Sequence, residues 1–225
     1  MQRIRNVIVT AALAAAAACG GGGGGSGMPS PMPSLKSAAA PGQPYTIPSS
    51  QLTATYNGVT YTAVYSETPN NGTVMFDNQL AHSSTVTISV SANGAQLATQ
   101  TSTVYYLENP YNPLGLTETT NGTSYEFLYT STNPLPTTLT VGDSGPLGSG
   151  NYYVPGSQVP VGSLTETYSV TARDATTVML SVMASGTLND TAVSDTVNYS
   201  VEAMGNITLV SVVVTVPGLG TLTFS

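Results

Sequence analysis

An alternation of apolar and polar residues, interrupted by Asn-Gly pairs, runs through the chain from Leu52 onward and constrains its fold more than any other feature. The stretch "TVTISVSANGAQLATQ" (85–100) places Val86, Ile88 and Val90 between threonines and serines, ahead of Asn93-Gly94. Successive side chains of a β-strand point to opposite faces, and an Asn-Gly pair accepts the positive φ angles of a type I′ turn. The pattern therefore predicts antiparallel strands that are joined by tight hairpins and buried on one face.

The same pattern predicts the turns and strands of most of the chain. Further Asn-Gly turns are expected at 57–58 and 121–122, and long strands at about 164–172, 176–185, 193–203 and 207–216. The side chains expected on inward faces of these strands are Tyr168, Val170, Val178, Leu180, Val182, Val197, Tyr199 and Val201. No segment after the first 18 residues has a helical period. We therefore expect an all-β domain over 51–225, an antiparallel meander forming an open barrel-like or sandwich sheet. It is one domain or two subdomains, 52–130 and 163–225, joined by the Pro/Gly-rich segment 133–162.

The N-terminal 18 residues have the features of an export signal. Arg3 and Arg5 precede an apolar stretch, 7–18, that is too short to span a bilayer as a helix. The small residues "AAA" then lead directly into Cys19, the single cysteine of the chain. This junction resembles the lipobox of bacterial lipoproteins, although Ala16 stands where that family prefers Leu. The resemblance implies cleavage before Cys19 and a palmitate-bearing lipid anchor on its sulfur. The alternative is an ordinary secreted protein cut at an Ala-x-Ala site.

Residues 19–50 are rich in Gly, Pro, Ser and Ala and have no period, which is typical of a flexible, disordered linker. As a coil of some thirty residues it would span about 30 Å, enough to hold a domain off a membrane. Loss of the signal would leave Lys36 and Arg173 as the only Lys and Arg residues against all 11 acids. This balance argues against nucleic-acid binding and a polybasic membrane patch, so membrane attachment would come from the lipid alone.

Three further segments resemble a family of uncharacterised, β-rich proteobacterial lipoproteins. They are "LPTTLTVGDSGPLGS" (135–149), "GSLTETYSV" (162–170) and "YSVEAMGNITLVSV" (199–212). The resemblance implies a β fold, a lipid anchor and a place in the bacterial cell envelope, and it brings no activity. Gly20 follows the cysteine. Under the sorting rule of enteric lipoproteins, a residue other than Asp at this position implies the outer membrane.

The segment "GDSGP" (142–146) resembles the nucleophile segment of chymotrypsin-like serine proteases. Ser144 would be the nucleophile and His82, the single histidine, the base. The chain has one glycine between Ser144 and Pro146 where that family has two, and no aspartate lies between His82 and Asp143. The five residues also favour an ordinary turn. We therefore predict a structural turn, with an envelope serine hydrolase as the alternative.

No other constellation in the sequence indicates catalysis. The carboxylates are scattered and no metal or cofactor motif is present, so we expect neither a metal site nor a cofactor. The 13 tyrosines are expected mainly in cross-strand pairs rather than as a ligand-binding platform. We therefore predict a non-catalytic structural or binding domain whose protein or small-molecule partner is not specified by the sequence. Strands of about ten residues leave a lipid-anchored transmembrane β-barrel as a further alternative.

Overall fold

The computed structural model describes residues 50–108, 111–120, 123–133, 136, 138–202, 207–216 and 220–225, and the description below is confined to them. The expectation of an all-β fold is confirmed. The strands are β1 (Ser50–Tyr56), β2 (Val59–Pro69), β3 (Val74–Phe76), β4 (Gln79–Ala92), β5 (Ala95–Glu108), β6 (Tyr111–Thr120), β7 (Thr123–Thr132), β8 (Ser144–Tyr153), β9 (Gly162–Ala172), β10 (Thr177–Leu188), β11 (Thr191–Glu202), β12 (Ile207–Val216) and β13 (Gly220–Phe224).

The strands form an antiparallel meander that is nearly closed into a barrel. Each strand pairs with the next in sequence, except that β2 pairs with β4, while β3 pairs only with β4 to form a short side hairpin. The first and last strands meet along one seam. There, the amide of Thr53 donates to the carbonyl of Ser225 at 3.0 Å and the amide of Ser225 donates back at 2.9 Å. The two candidate subdomains, 52–130 and 163–225, therefore contribute strands to one continuous sheet.

Alternation fixes which side chains fill the barrel. The apolar positions predicted to face inward on β10 and β11 are buried and lie directly opposite one another, as Val178 with Val201, Leu180 with Tyr199 and Val182 with Val197. The Asn-Gly turns at 57–58 and 93–94 have the expected positive φ angles. The turn predicted at 121–122 and the linker fall outside the described residues. The strand pattern read from the sequence is thus the pattern of the core.

The sequence predicts that the Pro/Gly-rich segment 133–162 is a connection, but the segment contains the strand β8. This strand pairs with β7 on one side and β9 on the other. Its inward positions include Gly148 and Gly150. A Cβ atom at Gly148 would lie 2.9 Å from the ring of Tyr129, and one at Gly150 would overlap the ring of Phe127. The glycines leave room for these two aromatic rings, so the strand carries no apolar alternation that the sequence could reveal.

The outward face of the sheet is dominated by hydroxyl groups. On β4 and β5, Thr85 lies opposite Thr103, Thr87 opposite Thr101 and Ser89 opposite Thr99. On β10 to β12, Ser181 donates to Asn198 at 2.6 Å and Asn198 donates to Ser211 at 2.9 Å. Within the described ranges, no helix is long and apolar enough to cross a membrane.

Candidate functional site

Three acidic side chains are almost completely buried inside the barrel. Glu118 on β6, Glu166 on β9 and Asp195 on β11 are 3%, 0% and 1% exposed. Each occupies an inward position of the alternation: Glu118 and Glu166 follow the buried Leu116 and Leu164 by two residues. Both glutamates belong to the repeated sequence "LTET" (116–119 and 164–167), so the period of two already indicates that they face inward.

The register aligns these acids in rows across the sheet. Glu166 lies opposite Ala184, and Ala184 lies opposite Asp195, so both acids stand in one row of β9 to β11. Glu118 stands in a second row with Ser102 and Val86, and that row ends at Glu67 on β2.

Tyr152 stands on β8, which lies between β6 and β9 in the sheet. Its ring is fully buried, and the three acids Glu118, Asp195 and Glu166 all act electrostatically on its phenol. We refer to Glu118, Glu166, Asp195 and Tyr152 as the interior acid cluster.

Hydrogen bonds satisfy only part of the interior acid cluster. The amide nitrogen of Gln100 donates to Oε2 of Glu118 at 2.6 Å, and the hydroxyl of Tyr129 donates to Oε2 of Glu166 at 2.7 Å. Among the described residues, Oε1 of Glu166 and Oη of Tyr152 are buried without a hydrogen-bond partner. A buried polar atom without a partner costs on the order of 1–3 kcal/mol, so this interior is less stable than a fully paired one.

Burial dominates the ionisation of the cluster. It raises the pKa of both Glu118 and Glu166 to about 8, although the hydrogen bonds from Gln100 and Tyr129 act in the opposite direction. Burial, reinforced by the neighbouring acids, also raises the pKa of Tyr152. The only Lys or Arg among the described residues is Arg173, which is exposed in the turn between β9 and β10. Within the part of the chain that the structure describes, no guanidinium or ammonium group compensates these carboxyls, and Glu118 and Glu166 are protonated at neutral pH.

The cluster is enclosed by the barrel rather than exposed as an accessible reaction centre, and its two glutamates are neutral. Its members are covered by the barrel wall, so a substrate has no direct contact with them in this conformation. In the part of the chain that the structure describes, no group of three or more His, Cys, Asp or Glu side chains is arranged to hold a metal ion. The arrangement can store and release protons, and it links the stability of the barrel to pH.

The structure places the two residues of the hydrolase alternative on different strands. His82 lies on β4 opposite Tyr106, with ring centroids 6.1 Å apart. Ser144 begins β8 opposite Ser169, and strands β5, β6 and β7 lie between β4 and β8 in the sheet. Asp143 closes a turn in which its carboxylate accepts the amide of Thr140 at 2.7 Å. The "GDSGP" segment is thus a turn followed by a strand.

The lipid-attachment residue predicted from sequence, Cys19, lies outside the described residues. Comparisons of this chain with protein-family models, with curated proteins and with solved structures found no match. The interior acid cluster was not identified from the sequence as a site. The signal that could have found it is the inward position of Glu118, Glu166 and Asp195, each two residues from a buried aliphatic side chain.

Proposed function

We propose that this chain is a lipid-anchored protein of the bacterial cell envelope, attached to the outer membrane through Cys19, whose β domain has a non-catalytic structural or binding role. The observation that carries the proposal is the position of the single cysteine, directly after an Arg-bearing apolar signal and before a glycine run. The resemblance to β-rich lipoproteins supports the same conclusion.

A non-catalytic role is supported by where the perturbed ionisable groups lie. Catalytic acids and bases are usually found in clefts that a substrate can enter. Here Glu118 and Glu166 are enclosed by the barrel, whereas Ser144 is exposed at the start of a strand and separated from His82 by three strands. Binding by this domain would therefore involve its outer surface or its loops.

The distribution of side chains favours a domain that faces water over the transmembrane alternative. A barrel in lipid presents an apolar band outward and polar groups inward. This sheet has apolar residues such as Leu180 and Phe127 on its inner face, and rows of serine and threonine on its outer face. Attachment through a lipid on Cys19 fits such a surface.

Metabolic labelling tests the anchor. The full chain is expressed in a bacterial host with labelled palmitate, beside Cys19→Ser and the matched control Ser26→Ala, which changes the same Gly-rich segment and keeps the cysteine. We expect label and membrane partitioning for the wild type and for Ser26→Ala, and loss of both for Cys19→Ser. Equal label in Cys19→Ser would overturn the anchor assignment.

A further inference from the structure

The β3–β4 hairpin carries a group of exposed apolar side chains. Met75 is 66% exposed, Leu80 is 62% exposed and Val74 is 44% exposed. Met75 and Leu80 lie directly opposite each other across the hairpin, so the two side chains form one apolar pair. Asp77 and Asn78 form the turn between the strands, both with positive φ.

Packing of Phe76 explains why this pair faces outward. The ring of Phe76 stacks on that of Tyr105 with centroids 3.9 Å apart and planes 7° apart. Phe76 also belongs to a small buried cluster with Ala81 and Leu114, separate from the barrel core. Neighbouring residues on a strand point to opposite faces, so fixing Phe76 against the sheet turns Met75 away from it. The pair is therefore held on a fixed support.

The hairpin lies toward the end of the barrel at which the described chain begins. β1 runs from Ser50, opposite Tyr65, to Tyr56, opposite Val59. The start of β1 therefore lies beside the second half of β2. At that end, β2 continues past Tyr65 to Pro69, which lies opposite Ser84 on β4, and the chain then enters the β3–β4 hairpin. We call this the tether end, because the linker from Cys19 would join the domain on this side.

Exposed apolar residues are present at both ends of the barrel. Val141, 55% exposed, lies in the connection between β7 and β8, which is also at the tether end because connections of a meander alternate between its two ends. The opposite end carries Val154 and Val159 in the connection between β8 and β9, and Val159 is 70% exposed. Apolar exposure alone therefore does not show which end of the barrel would face a membrane. The position at which the linker joins the domain favours the tether end.

We propose that the tether end docks on a neutral lipid surface, with Met75 and Leu80 of the β3–β4 hairpin in contact with the lipid. This inference rests on the proposed lipid anchor, since a lipid on Cys19 would keep this end near the membrane. The occupant is a zwitterionic surface rather than an anionic one, because Asp77 stands in the hairpin turn and no Lys or Arg is present within 70–81. Arg173, in the β9–β10 turn at the same end, is directly followed by Asp174 and so forms no basic patch. Anchor and hairpin would then be two membrane contacts on one chain.

The chain contains no tryptophan, so a single Trp can report on one position. Leu80→Trp places the reporter on the hairpin, and Val159→Trp places it at an equally exposed apolar position of the opposite end. The chain beginning at Cys19 is coupled through its only thiol to maleimide lipids in phosphatidylcholine vesicles that contain brominated phosphatidylcholine. Circular dichroism of both variants checks that each is folded. The measured quantities are the emission maximum and the loss of intensity to the bromine quencher.

We expect a blue shift and strong quenching for Leu80→Trp, and neither for Val159→Trp. Adding Met75→Asp to Leu80→Trp should reverse both effects, and anionic phosphatidylglycerol should weaken them. Equal quenching at both positions, or none at Leu80→Trp, overturns the docking proposal. Chemical coupling supplies the anchor here, so this result is independent of whether Cys19 is acylated in cells, which the palmitate experiment decides.

Discussion

Tyr129 donates its hydroxyl to Glu166 at 2.7 Å across the position of Gly148, where a Cβ atom would lie 2.9 Å from the tyrosine ring. Gly148 thus leaves room for a hydrogen bond to a fully buried acid. Glycine in a Pro/Gly-rich segment usually indicates a loop. Here Gly148 lies within a strand, where it makes room for Tyr129, the hydrogen-bond donor to Glu166.

The first prediction concerns this relationship. Gly148→Ala should displace the Tyr129 ring and lower the free energy of unfolding by about 1–3 kcal/mol through overpacking. Tyr129→Phe should cost about 1–3 kcal/mol because Glu166 loses its donor. Because both changes affect one contact, the double variant should lose less than the sum of the two. Urea unfolding measures all three, with exposed Ser144→Ala as the control, and strict additivity would contradict the coupling.

The second prediction is that the protein is less stable at alkaline than at acidic pH. Glu118 and Glu166 keep their protons in the fold up to a pKa of about 8, whereas their ordinary value is 4.5. Between these values the folded state binds more protons than the unfolded state, so the free energy of unfolding falls as pH rises. The stabilisation is complete below pH 4.5 and is lost as pH rises through 8. Each unit of pKa difference between the folded and the unfolded state corresponds to about 1.4 kcal/mol of stability. The free energy of unfolding therefore falls by a few kcal/mol per glutamate.

Urea midpoints at pH 5, 7 and 9 test this pH dependence. Glu166→Gln keeps an acceptor for Tyr129 and removes the titration, so it should match the wild type at pH 5 and exceed it at pH 9. Glu126→Gln, the same substitution on the outward face of β7, serves as the control for removing a carboxyl group elsewhere in the sheet. A wild-type stability that rises with pH between 5 and 9 would show that these carboxyls are ionised in the fold.

Much of this fold could be predicted from the sequence, because its strands are long and their alternation is regular. The six residues predicted to face inward on β10 and β11 are all buried. Ser200 alternates with the inward Tyr199 and Val201, and this alternation predicts an exposed side chain. It is only 6% exposed, next to the irregular register at Asn198 and Tyr199. Such local irregularities change burial without leaving a signal in a period of two.

Other parts of the structure could not be read from the sequence, for physical reasons. β8 was missed because Gly148 and Gly150 occupy inward positions where an apolar side chain would be expected. The seam pairs Thr53 with Ser225, residues that are 172 positions apart, and no local pattern encodes such a pairing. The interior acids were missed because Asp and Glu are usually exposed. Their alternation with buried residues such as Leu164 was nevertheless visible.

The third prediction tests the inward face of β10. Leu180 is fully buried, whereas Met183 on the same strand is 43% exposed on the outward face. A charge at Leu180 would be buried without a counter-ion, which costs far more than the roughly 1.5–3 kcal/mol lost with the apolar side chain itself. We expect Leu180→Asp to unfold the domain and Met183→Asp to be tolerated. Circular dichroism and urea midpoints of the two variants test this prediction. Equal losses of stability in the two variants would mean that both faces of β10 are covered.

The fourth prediction is that the seam opens more readily than the rest of the sheet. β1 is joined to Ser225, the residue after β13, through Thr53, whereas β10 is paired with β9 and β11 along almost its whole length. Amides with few neighbouring hydrogen bonds exchange through low-energy local openings. Hydrogen exchange should therefore be faster at Thr53 than at Leu180. Equal protection of the two amides would indicate a barrel that opens only by global unfolding.

The last prediction separates the structural turn from the hydrolase alternative. Ser144 is exposed and lies opposite Ser169 at the start of β8, while His82 lies against Tyr106 three strands away. A serine becomes a nucleophile only when a base within hydrogen-bond reach accepts its proton. We therefore expect no labelling of the chain by a fluorophosphonate probe. Ser144→Ala should change the free energy of unfolding by no more than about 0.5 kcal/mol, as is usual for exposed positions. Labelling that disappears in both Ser144→Ala and His82→Ala, with both variants folded, would establish the two residues as a catalytic pair and replace the non-catalytic assignment.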